Sequence, residues 1–119
     1  MRNIQIMKAT LTALAEPNRL HIVELLRDGP RPVGEIVDEL QLRQPQVSKH
    51  LRVLSNAGLV KVHPAAQQRI YKLRPQPLQE IDIWLEPYRR FWNESFDRLA
   101  GYLEELQKEE EKKKNEQKD

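Results

Sequence analysis

The stretch PVGEIVDELQLRQPQVSKHLRVLSNA, residues 32 to 57, decides how this chain is read. Its first part spaces Val33, Ile36, Val37 and Leu40 at i, i+3, i+4 and i+7, one face of a helix that starts near Pro32. Its last part, roughly Gln44 to Ala57, has Val47, Leu51 and Leu54 as an inner stripe. Only Gln41, Leu42 and Arg43 lie between them. Two helices joined so tightly must cross steeply, as in a helix-turn-helix. At about 100° per residue, Pro45, Lys49, Arg52 and Asn56 stand opposite the stripe. Ser48 flanks that face on one side, and Gln46 and Val53 on the other. The outer face is therefore polar or basic and carries no acid.

The absence of acid continues downstream. Residues Arg43 to Arg74 hold no Asp or Glu but seven basic side chains: Arg43, Lys49, Arg52, Lys61, Arg69, Lys72 and Arg74. The whole chain carries 20 Lys and Arg against 18 Asp and Glu, a net charge of +2. The remaining residues thus hold thirteen basic and all eighteen acidic groups, a net of minus five. A nearly neutral chain has placed its positive charge in one continuous stretch. Such a stretch attracts a polyanion, because neutralised phosphates release condensed counterions.

The flanks complete a fold. Asn56-Ala57-Gly58 supplies a helix stop. Leu59 to His63 reads as a β-branched strand, Pro64 to Gln68 as a turn, and Arg69 to Arg74 as a second, alternating strand. A hairpin after a helix-turn-helix is the winged variant of that motif, and Pro75 and Pro77 close it. Upstream, Ile4, Met7, Leu11 and Leu14 mark one face of a first helix. Pro17 suits the first position of a second helix running to about Arg27, with Leu20, Ile22, Val23, Leu25 and Leu26 expected to be buried. Asp28-Gly29-Pro30 ends it. From Leu78 the pattern is helical and long. Leu85, Trp92, Phe96, Leu99, Leu103 and Leu106 form a seam that is close to a heptad from Trp92 onward. Trp84, Tyr88, Phe91 and Tyr102 widen the seam, and Pro87 is expected to kink or restart the helix. The expected fold is mainly α with a small β-hairpin, a winged helix-turn-helix of order α-α-α-α-β-β-α, acting as a homodimer. Residues 1–107 are expected to form one module for DNA binding and dimerisation. Residues 108–119 form a charged tail without apolar residues, which either extends the helix into solvent or frays.

Other classes are excluded. At 119 residues the chain is one domain with a modest core, and pairing with a second copy would help it. No apolar run approaches a membrane span. Met1-Arg2-Asn3-Ile4 lacks the apolar block of a signal peptide, so a cytoplasmic location is the default. With no Cys there is no disulfide, thiolate metal site or Cys nucleophile. His21, His50 and His63 lack ligand spacing; His50 borders the inner stripe and is expected to bond to backbone. Glu35, Asp38, Glu39 and Asp82 come without a nucleophile or glycine-rich loop, so they read as solvated faces and not as an enzyme's acids and bases. No cofactor or metal is expected.

The run Ala13-Leu14-Ala15-Glu16-Pro17-Asn18-Arg19-Leu20, the stretch Gln44-Pro45-Gln46-Val47-Ser48-Lys49-His50-Leu51, Ala57-Gly58-Leu59-Val60 and Arg69-Ile70-Tyr71-Lys72-Leu73 together resemble ArsR-type (arsenic-repressor) transcriptional regulators. The aromatic helix from Trp84 through Trp92 resembles a metal-independent, autorepressor-like branch. The resemblance implies a winged-helix homodimer on a near-palindromic operator. The first and last helices would form the dimer interface, the fourth helix would enter the major groove, and the wing tip would follow the backbone or the adjacent minor groove. The chain departs from the family pattern in several places. Pro32 and Gly34 stand where the thiolate metal site has cysteines. A second metal site on the last helix would need ligands at Asp82, Trp84, Ser95 and Arg98, of which only the aspartate fits. Arg43 replaces the usual Ser or Thr, losing an N-cap worth about 1 kcal/mol. Gln68 replaces the usual wing glycine.

For DNA, Gln44 and Gln46 suit adenine, Lys49 and Arg52 suit guanine edges or phosphates, and Ser48 suits either. Arg43 suits a phosphate, and Arg69, flanked by Gln67 and Gln68, is the wing contact. Lys61, Lys72 and Arg74 add general positive field. Met7, Leu11, Leu85, Trp92, Phe96, Leu99 and Leu103 are the candidate dimer interface, because the aromatic seam is wider than one small domain can cover. The expected partners are double-stranded DNA and a second copy, with no membrane and no identifiable effector. Two other functions share this fold: a module that binds protein or RNA, and a ligand-gated sensor.

Overall fold

A computed structural model describes residues 4 to 117. The readings made on residues 1–3 and on the last two residues of the tail lie outside the described residues. The chain divides into two compact units, Met1–Ile83 and Trp84–Asp119.

In the first unit α1 (Ile4–Leu14) is followed by α2 (Pro17–Arg27), β1 (Arg31–Pro32), α3 (Val33–Leu40), α4 (Gln44–Asn56), β2 (Val60–Ala65), β3 (Gln68–Leu73) and the start of α5 (Gln76–Gln117). Pro17 opens α2, and the Glu16 carboxylate caps it by accepting the Arg19 backbone N–H at 2.9 Å. The turn between α3 and α4 depends on Gln41, whose φ of 56° is left-handed although it is not glycine. Its N–H donates to the Val37 carbonyl at 3.0 Å and its side-chain amide to the Asp38 carbonyl at 2.8 Å. Gly58, at φ 77°, ends α4 in the same conformation without strain.

The core lies where α2, α3, α4 and the sheet meet. Ile22, Ile36, Val47, Leu54 and Leu59 are fully buried, joined by Val23, Leu26, Leu51, Val60 and Tyr71. The inner stripe expected of the fourth helix is thus the centre of the unit, and burying each such side chain contributes about 1.5–3 kcal/mol. Leu20 corrects the expectation for α2: it is exposed. The buried trio Ile22, Val23 and Leu26 sets the inner face, and Leu20 falls about 110° away from its centre. In α1 the small residues Thr10 and Ala13 face the core. Of its apolar stripe only Leu14 packs against the core: Ile4 and Leu11 are exposed and Met7 is half-buried. The buried Thr10 hydroxyl is satisfied by the Ile6 carbonyl at 2.9 Å.

The sheet has three antiparallel strands in the order β1-β3-β2, one more than the expected hairpin. The added strand pairs Arg31 with Tyr71 and Pro32 with Ile70. Two residues show no alternation in sequence, and a strand-forming proline is tolerated there because β1 is an edge. The wing is tighter than expected. Ala65 pairs with Gln68, leaving Ala66-Gln67 as the tip, and Ala66 takes φ 55° in place of the usual glycine.

In the second unit α5 runs unbroken through Pro87, so the helix does not restart there. Trp84 and Tyr88 meet one turn apart with ring centroids 5.1 Å apart and tilted, and Arg89 bonds Glu86 at 3.0 Å across the same turn. The tail continues this helix to Gln117 and is exposed throughout. No helix among the described residues is long and apolar enough to cross a membrane.

Candidate nucleic-acid interface

Burial of Val47, Leu51 and Leu54 fixes how α4 is rotated, and that rotation turns its opposite face outward. Gln44, Pro45, Gln46, Lys49 and Arg52 are exposed, and Ser48 is half-buried at the edge of the face. Arg43 precedes them, extended and exposed. None of these basic side chains has an acidic partner among the described salt bridges.

The start of α4 shows how the missing Ser or Thr cap is replaced. A guanidinium has no acceptor, so Arg43 cannot cap the helix through its side chain. Gln46 turns back instead, its Oε1 accepting the Arg43 backbone N–H at 3.2 Å. This bond separates the two glutamines chemically. Bidentate pairing with adenine needs both the oxygen and the NH2 of an amide. Gln46 has its oxygen engaged and offers only the NH2, whereas Gln44 makes no such bond.

The wing comes to the same side. Gln67, Gln68 and Arg69 share an open cleft with Gln44 at the start of α4. Strand parity explains Arg69: it has the same parity as Tyr71 and Leu73, which pack on the core, and so lies on the helical side of the ribbon. The cleft also contains Glu35 and Asp38 from α3, carboxylates that the sequence alone presents as solvated faces. Arg31 stands 3.6 Å from Glu35 and partly neutralises it. The stretch without acid in sequence is therefore not without acid in space. Among the described residues of the cleft Arg69 is the only basic side chain, beside the carboxylates Glu35 and Asp38 and the amides of Gln44, Gln67 and Gln68. The sequence carried no signal for Glu35, which lies in the first turn of α3, away from the short link that joins the end of α3 to the start of α4.

His50 does not bond to backbone. Its Nδ1 lies 3.7 Å from the Glu16 carboxylate, which ties α4 to the first turn of α2. His21 lies 3.9 Å from Glu39. Among the described residues no group of three or more His, Cys, Asp or Glu is placed to hold a metal ion. The expected dimer residues fall in two places: Met7 and Leu11 on α1, and Leu85, Trp92, Phe96, Leu99 and Leu103 on α5, where Trp92 and those after it are exposed.

The profile of bacterial regulatory proteins of the arsR family matches residues 16–62. The chain is 41% identical over 92 residues to the HTH-type transcriptional regulator Rv2034 of Mycobacterium tuberculosis, covering 77% of this chain and 80% of that one. It is 42% identical over 71 residues to the HTH-type transcriptional repressor SmtB of the same organism, covering 60% of this chain and about half, 53%, of that relative. Among solved structures, HlyU from Vibrio cholerae matches with a TM-score of 0.61 and 32% identity, covering 73% of this chain and 96% of that one.

Proposed function

The chain belongs to the ArsR family of bacterial regulatory proteins, and from that premise we propose that it is a sequence-specific DNA-binding transcriptional repressor that acts as a homodimer. Each α4 lies in the major groove of one half of a near-palindromic operator, with half-site centres about one helical turn, roughly 34–36 Å, apart. Ser48, Lys49, Arg52 and Gln44 address base edges or nearby phosphates, Gln46 contributes a donor, Arg43 meets a phosphate, and Arg69 with Gln68 carries the wing contact. Met7 and Leu11 of α1 and Leu85, Trp92, Phe96, Leu99 and Leu103 of α5 form the interface between copies. Residues 1–107 act as one DNA-binding and dimerising module, with 108–119 as its charged tail. The protein works in the cytoplasm, where its DNA is, and represses by occluding the promoter.

One observation carries this reading. The exposed, basic, acid-free face of α4 is presented by a tight helix-turn-helix, and the wing arginine shares a cleft with Gln44 at its start. Selection of bound sites from a random duplex pool tests it. Recovery of an inverted repeat, bound in preference to random duplex and to single strands, is the expected result. Equal retardation of all three nucleic acids refutes it.

A further inference from the structure

The wing has a second basic surface whose lysines the half-site contacts leave unused; of those contacts only Gln68, at the tip, shares its face. In the register of β2 and β3, Lys61 stands directly opposite Lys72. Residues opposed in an antiparallel pair project to the same face, and like charges there destabilise the sheet. Both side chains are exposed, and neither has an acidic partner among the described residues. The strands around them hold no Asp or Glu. His63, two residues along β2, shares their face and is also exposed. The neighbouring pair, Val62 with Tyr71, points the other way, into the core. The lysine pair thus occupies the outer face of the ribbon, and Arg69 the inner face beside α4. A repulsive pair without counter-charge, in a chain with eighteen carboxylates available, fits a polyanion that arrives from outside.

Resting on the function proposed above, we propose that this outer face, centred on Lys61 and Lys72, binds the phosphates of duplex DNA flanking each half-site. A duplex seated on α4 and Arg69 lies on the inner side of the wing. It meets the outer side only beyond the half-site, and only if it bends toward the protein past the wing. The lysines therefore favour a bent, longer footprint. They contribute nothing to reading bases, because phosphate contacts carry no sequence information directly.

The test compares two operator duplexes, one ending at the half-sites and one extended by about ten base pairs on each side, one helical turn. At low salt the parent binds the longer duplex about tenfold more tightly, with a steeper salt dependence by about 0.9 log units for each added phosphate contact. The double variant Lys61→Gln, Lys72→Gln binds the short duplex as the parent does and gains nothing from the longer one. Its thermal midpoint equals or exceeds the parent's, because the like-charge pair is gone. A structural role for the lysines would lower that midpoint. The inference fails if flank length does not matter to the parent, if the gain survives in the double variant, or if the variant loses short-duplex binding equally. A parent that reads its operator but ignores flank length sinks this inference alone; a parent that prefers no duplex sequence sinks the proposed repressor function with it.

Discussion

The two units of this chain use the same residue types to opposite ends. In Met1–Ile83, Leu51, Leu54 and Leu59 are at most 1% exposed. In Trp84–Asp119, Leu99 is 52%, Leu103 50% and Phe96 65% exposed, and α5 contains no buried residue. The first unit builds a buried core of its own, although Ile4, Ile6, Leu11 and Leu20 stay exposed on it. The second keeps a helical register, with apolar side chains at alternating four- and three-residue steps, but holds nothing to cover them. A contiguous apolar stripe of this kind marks an interaction surface in a way that scattered exposed leucines do not. An isolated helix also gains little stability from propensity alone. The difference teaches that one unit carries its own core, while the other presents an apolar stripe with no core beneath it.

That contrast can be broken or sharpened by substitution. The largest effect is expected in the first unit. Leu51→Ala opens a cavity under α4 and should lower unfolding stability by about 4 kcal/mol, read by chemical denaturation. Next is the interface. Leu103→Glu should leave the secondary structure intact but weaken self-association by about 3 kcal/mol over two copies, read by sedimentation across micromolar concentrations. A dimer that persists unchanged would remove the distal seam from the interface. Lys49→Ala touches neither core nor seam. It should cost about 2 kcal/mol of operator affinity in a mobility titration, with no change in denaturation midpoint. The smallest effect is local: Gln41→Gly relieves the left-handed φ between α3 and α4 but loses the side-chain bond to the Asp38 carbonyl, so the terms offset and denaturation should read a change below about 1 kcal/mol. An Arg69→Ala variant should reduce the slope of log affinity against log salt by about 0.9 per phosphate lost, in each protomer.

Much of the first unit was legible in the order of residues. The stripe Val47, Leu51 and Leu54 has a 3.6-residue period that only a helix matches, and the same period places Lys49 and Arg52 outside. Leu20 misled because a broad run of leucine and isoleucine does not say where the centre of a buried face lies; packing against α4 and the sheet does. β1 was invisible because two residues carry no periodicity. The wing tip was read too long because Ala66 adopts a conformation usually signalled by glycine. The site shows the same division. Its basic residues were visible as a run without acid, but Glu35 and Asp38 enter the cleft from α3, and Gln46 turns from a base reader into a helix cap.

The order of amino acids by itself determined the helices, the tight turn, the hairpin and the segregation of positive charge. Each of these follows from local periodicity or from composition, and those need no distant partner. Only the tertiary structure decided which face of α1 meets the core, which carboxylates stand beside the wing arginine, and that Lys61 opposes Lys72. Those are matters of strand register and helix rotation. They are set when separate segments bury surface against one another, and no single segment contains that information.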